Sequence, residues 1–180
     1  MVFDVNTDLQ HKAWLVIGGH VIDSSEHLGY SSVVKMTSIR LWNIITKAQG
    51  LECLVGDVGN AYLNALTREK IYMKCGLEFG PEMVGWIAIV EKSLYGLKLS
   101  GNRWHAHFAN TLYSMGFVPM RYDPDVWYKL REDHSGYDYV SMYVDDFMIM
   151  AKDAWSYMAH LQSIYTIKQP ANLEIYLGAL

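Results

Sequence analysis

The chain has 180 residues, 51% of them apolar, with 15 Lys and Arg against 19 Asp and Glu for a net charge of −4. That length and composition bury a core of roughly one domain and exclude a disordered chain. The acidic balance excludes a binder that draws nucleic acid by overall charge, so any such binding must come from a local groove.

The N-terminus, Met1-Val-Phe-Asp-Val-Asn, lacks the basic start and apolar stretch of a signal peptide. Residues 1–36 are mixed, with one short strand candidate in Ala13-Trp14-Leu15-Val16-Ile17, closed by Gly18-Gly19. Thr37 or Ser38 is expected to cap a helix that carries Ile39, Trp42 and Ile45 on one face and ends at Gly50. Residues 51–58 read as a buried strand that reaches an acid, Asp57, before Gly59-Asn60 breaks it. Cys53 and Cys75 are too few for a disulfide framework or a zinc site, and reduced thiols in an intracellular protein are expected.

Residues 71–74 and 87–91 are two further strand candidates. The longest apolar run, residues 84–90, is far short of the roughly 20 residues a membrane helix needs. Residues 102–115 form a helical pattern with Trp104, Phe108, Leu112 and Met115 on one face and Gly116 as its stop. A strand follows at 125–130. Two β-rich runs, 137–143 and 147–151, flank Val144-Asp145-Asp146, which reads as a hairpin turn carrying two adjacent carboxylates. Asp153 is expected to cap a helix with Trp155, Met158, and Leu161 or Gln162 in its sequence. Short strand-like pieces at 165–168 and 175–177 close the chain. Strands and helices mix without βαβ alternation, and no segment repeats, so the expected class is α+β.

Asp145 and Asp146 lie between apolar strands, where charge is costly unless paired. Strand neighbours point to opposite faces, but a turn relaxes that rule and lets both carboxylates reach one side. Asp57 ends a separate strand. Hard divalent ions take oxygen ligands from one or two carboxylates plus substrate phosphates, and a pair of such ions serves phosphoryl transfer. Taken alone, an Asp-Asp pair is most often a solvated turn, and an acid at a strand end is more often a cap than a ligand. Sequence context separates these readings.

Tyr143-Val144-Asp145-Asp146 between apolar strands resembles the signature hairpin of reverse transcriptases, and Asp57-Val58-Gly59-Asn60-Ala61-Tyr62 resembles their first catalytic segment. Ser93-Leu94-Tyr95-Gly96-Leu97-Lys98 with Arg103-Trp104 is similar to the segment that copia-type retrotransposon enzymes carry between those two. Ile71-Tyr72-Met73 and Tyr122-Asp123-Pro124-Asp125 are also copia-like. These pieces fall in family order over residues 11–178. The resemblance implies a palm, an antiparallel sheet backed by helices, with a partial fingers subdomain, as one domain over 1–180 of a Pol polyprotein without its thumb and RNase H. It implies that Asp57, Asp145 and Asp146 bind two Mg2+ ions, with Mn2+ as a substitute. It also implies a nucleotide pocket shaped by Val58, Tyr62, Gly96, Lys98, Tyr143 and Lys12, in which the Tyr62 ring excludes a 2′-hydroxyl.

The implied partners are an RNA or DNA template with primer, deoxynucleoside triphosphates, and the thumb, RNase H and integrase of the polyprotein, with no membrane. The implied setting is a cytoplasmic retrotransposon particle whose product enters the nucleus. Read without the resemblance, Tyr62 fits a core position, Lys98 a solvated lysine and Gly96 a turn.

Three segments depart from the family. Lys12-Ala13-Trp14-Leu15-Val16 has Trp14 where an arginine normally grips the triphosphate, and an indole cannot pair with phosphate. Leu99-Ser100-Gly101 replaces a Gln-Ala-Pro. Gly178-Ala179-Leu180 stands where the family continues with an acid. Three functions therefore compete: an RNA-directed DNA polymerase core, an inactive remnant of one, and a nucleic-acid-binding module without chemistry.

Overall fold

The structure is a computed structural model and describes residues 2–5, 11–18 and 31–172. In chain order the elements are β1 (Val2–Val5), β2 (His11–Trp14), α1 (Met36–Gln49), β3 (Glu52–Val58), β4 (Leu66–Lys74), β5 (Ile87–Lys92), α2 (Ser100–Ser114), β6 (Val118–Pro119), β7 (Val126–Leu130), β8 (Tyr137–Tyr143), β9 (Asp146–Ala151), α3 (Ala154–Ile164) and β10 (Ile167–Asn172). The expected strand at 175–177 lies outside the described residues. No described helix is long and apolar enough to cross a membrane. The chain divides into two compact units, Met1–Tyr30 with Tyr62–His107 and Ser31–Ala61 with Phe108–Leu180.

The second unit is built on a six-stranded sheet in the order β10-β3-β9-β8-β7-β6, every neighbouring pair antiparallel. Its middle strand, β9, is buried on both faces. That is why Phe147-Met-Ile-Met-Ala151 is apolar throughout instead of alternating. Met148 and Met150 pack with Ile39 and Trp42 of α1 and with Leu51, Val126 and Tyr139. Trp42 lies 4.3 Å from Tyr139, ring centre to ring centre. On the other face Phe147 meets Phe108 of α2 at 5.8 Å, and Phe108 meets Tyr165 at 5.7 Å. Gly56 faces Phe147 in register, and a Cβ there would stand 2.5 Å from the ring. Only a glycine lets the two strands close at that point.

Several expectations shift in detail. Neither Thr37 nor Ser38 caps α1. Lys35 occupies the cap position with no side-chain cap bond, and the acceptor comes from far along the chain. The buried Asp123 takes the Lys35 N–H at 3.0 Å and the Ser38 hydroxyl at 2.6 Å through Oδ2. A carboxylate there also suits the positive end of the helix dipole. Gly50 closes α1 as expected, left-handed, with its N–H on the Thr46 and Lys47 carbonyls. Helix α2 starts two residues early, at Ser100, and buries Trp104, Phe108 and Leu112. In α3 the cap holds, Asp153 accepting the Ser156 N–H at 3.0 Å, but the buried face is Ala154, Met158 and Leu161. Trp155 is exposed, because only positions spaced three and four apart share the inward stripe.

The first unit contains two antiparallel pairs, β1 with β2 and β4 with β5. β4 begins at Leu66, five residues before the expected strand, and its register slips between Leu66 and Ile71. Ile71 and Val90 face one another from its buried side.

Candidate active site

β3 runs between β9 and β10, and the register of these strands aligns four residues from four strands. Lys168 on β10 stands opposite Asp57, Asp57 opposite Asp146, and Asp146 opposite Tyr143 on β8. Directly opposed residues share a face, with Cβ atoms about 5 Å apart. The row thus reads cation, acid, acid, phenol across the sheet. Like charges placed directly opposite destabilise a sheet, so the pairing of Asp57 with Asp146 works against folding.

The hairpin loop has two residues, Val144 and Asp145, so only one of the adjacent acids lies on the turn. Asp146 is already the first residue of β9, which corrects the expectation that both sit in the turn. The short loop is also tight. Val144 has φ +55°, a left-handed conformation that β-branched residues rarely take. The turn is fastened to β3 by the Val58 N–H, which donates to the Asp145 carbonyl at 2.8 Å. Asp57, Val58, Tyr143, Asp145 and Asp146 are therefore brought together by one sheet end.

The electrostatics are unbalanced. Burial, followed by the charges of Asp145 and Asp57, pushes the Asp146 carboxyl up to about 6, while Lys168 pulls it down. Asp57 Oδ2 accepts from Lys168 Nζ at 2.9 Å. Its other oxygen, Oδ1, is buried and has no hydrogen-bond partner. Among the described residues no three His, Cys, Asp or Glu stand arranged as a ready metal cage. Mg2+ needs no such cage, since it binds through one or two carboxylates and completes its shell with water and phosphate. The buried Asp57 oxygen without a donor, together with Asp145 and with the Asp146 carboxyl whose ionisation these two acids oppose, fits a divalent cation.

The remaining expected residues lie in the first unit. Tyr62 sits in a short 3-10 turn, Ala61–Asn64, half-buried with its ring 4.7 Å from Tyr95. Gly96 follows Tyr95, which bridges Val16 and accepts the Ile17 N–H at 2.9 Å. Gly96 has φ +91°, and a side chain there would run into the Ile17 carbonyl, so backbone packing alone accounts for this glycine. Lys98 is exposed. Lys12 and Trp14 lie on β2, opposite Asp4 and Val2.

Lys168 is the residue that sequence reasoning missed. It appears in the sequence only as a basic end to the strand-like piece at 165–168, and nothing local marks its partner 111 positions away.

A family model described as reverse transcriptase (RNA-dependent DNA polymerase) matches residues 2–179. The chain is 34% identical over 152 residues to the retrovirus-related Pol polyprotein from transposon TNT 1-94 of Nicotiana tabacum, a match covering 81% of this chain and 11% of the relative. It is 27% identical over 177 residues to the corresponding polyprotein from transposon RE1 of Arabidopsis thaliana, covering 94% and 12%. A putative transposon Ty5-1 protein of Saccharomyces cerevisiae is 29% identical over 126 residues, covering 68% and 40%. The chain thus spans only a small part of the polyproteins it matches. No solved structure matches it.

Proposed function

The chain belongs to the reverse transcriptase family of RNA-dependent DNA polymerases, and from that membership we propose that it carries the nucleotidyl-transfer centre of a copia-type retrotransposon Pol polyprotein. The observation that supports this most is the alignment of Asp57 with Asp146 across β3 and β9, with Asp145 on the adjoining turn. In this reading the six-stranded sheet and its helices are the palm, and the hairpins of the first unit belong to the fingers.

Asp57, Asp145 and Asp146 would hold divalent cations, Mg2+ or Mn2+, whose chemistry is charge neutralisation at the attacking and leaving oxygens of phosphoryl transfer. The chain's own contribution is positioning. The β3–β9 ladder fixes two of the acids against each other, and the Val58 N–H fixes the turn that carries the third. Val58 and Tyr143 flank the acids. The primer 3′-hydroxyl attacks the α-phosphate of a deoxynucleoside triphosphate, and pyrophosphate leaves. Tyr62 is assigned to the sugar, where its ring excludes a 2′-hydroxyl. Gly96, Lys98 and Lys12 are assigned to the nucleotide pocket, as backbone and as cations respectively.

The test is primer extension on an RNA template with Mg2+ and deoxynucleotides. The wild type is expected to extend the primer, and Asp145→Asn to lose at least about a hundredfold in rate, the scale of removing a preorganised electrostatic group. Extension that survives Asp145→Asn would overturn the assignment. If a folded wild type gives none, Trp14→Arg asks whether the missing arginine of the triphosphate grip is the cause.

A further inference from the structure

We propose that Lys168 is a tethered counter-cation of the acidic site: its ammonium holds Asp57 in the metal-free protein and gives that carboxylate up when a divalent cation binds, so that Lys168 sets the site's metal affinity. The inference rests on the reading of Asp57, Asp145 and Asp146 as the metal-binding acids.

Three observations carry it. The first is placement. Lys168 is paired with Asp57 by the backbone register of β10 and β3, with Ile167 opposite Val58 beside it, so the lysine is aimed at this acid by the sheet. The Gly59 N–H donates to the Thr166 carbonyl at 2.8 Å and fixes the start of β10. The second is access. A Cβ on Gly59 would stand 3.7 Å from Lys168 Cε, so the stem lies along bare backbone. The register then shifts between Lys168 and Ala171, around Pro170, so the ladder is irregular just past the lysine before it resumes with Ala171 opposite Val55. The third is the balance of the pair. Nζ lies 2.9 Å from Oδ2, yet 56% of the lysine side chain and 37% of the aspartate side chain are exposed. An ion pair that accessible is weak, and a doubly charged ion can displace it. Asp57 Oδ1, buried without a partner on the same carboxylate, is a further unmet demand for positive charge.

An ammonium and a divalent ion compete for one oxygen, and the ammonium also repels the ion. Removing its charge must therefore tighten metal binding. The experiment is a titration of the 180-residue chain with Mn2+, without nucleotide or nucleic acid, following free Mn2+ by electron paramagnetic resonance. Lys168→Met is expected to bind Mn2+ about three- to tenfold more tightly than wild type, with Lys168→Arg within about twofold of it. Lys168→Gln is carried alongside as a second neutral variant, and circular dichroism confirms that each is folded. Affinity that is unchanged or weaker in both neutral variants, while Asp57→Asn abolishes binding, would overturn the role of Lys168 and leave the site standing. Binding that is indifferent to Asp57→Asn would overturn the site and this inference with it.

Discussion

Asp146 stands directly across from Asp57 and next in sequence to Asp145, and its carboxyl is pushed up to about 6 by burial first and by those charges second. The folded protein therefore keeps a proton that the unfolded chain releases near the ordinary carboxyl value. The stabilisation this gives is fully present below about pH 4 and is lost as pH rises to about 6. Asp146 is only half-buried, so screening reduces the effect to about 1 kcal/mol. In urea melts without metal, wild type should lose about 1 kcal/mol more than Asp146→Asn between about pH 4 and pH 7. Parallel pH profiles for the two proteins would contradict this account. The same conflict stands beside a strained turn, with Val144 at φ +55°.

At the scale of elements, α1 depends on a residue from outside itself. Asp123 is buried, and one of its oxygens serves both the Lys35 N–H and the Ser38 hydroxyl. Asp123→Ala would leave two donors at the helix start without an acceptor and is expected to cost about 2–3 kcal/mol in a urea melt. Asp123→Asn keeps an acceptor and should cost less. A loss under about 0.5 kcal/mol for the alanine variant would show that solvent caps the helix equally well. The same helix shows how far local reading reaches. Its apolar face and its glycine stop follow from residue spacing, while its cap does not, because the acceptor lies 85 positions from Ser38. The hairpin of β8 and β9 behaves alike. Its two strands are plain in the apolar runs, but the division of Asp145 to the turn and Asp146 to the strand follows from the two-residue loop.

For the molecule as a whole, a net charge of −4 sets the terms on which it meets a polyanion. Single-stranded oligonucleotide should bind weakly, with a Kd no tighter than about 1 µM at physiological salt, and should weaken steeply as salt rises. Fluorescence anisotropy over a salt series checks this, and submicromolar binding that ignores salt would refute it. The chain spans 11–12% of the plant polyproteins it resembles.

The family, the mixed α and antiparallel-β class and most of the elements are legible in the residues alone. Each of these is written locally, in apolar periodicity, in glycine stops and in short runs such as Tyr143-Val144-Asp145-Asp146. The register of the strands is set by their packing in the folded chain. Sliding β10 by one residue would turn Lys168 to the other face, and nothing in residues 165–172 states which slide is taken. The opposition of Asp57 to Asp146, the ammonium on Asp57, the burial that raises Asp146 and the remote cap on α1 all depend on pairings between segments distant in sequence. Such pairings are set by how whole strands and helices bury their apolar faces, and no single segment contains that information.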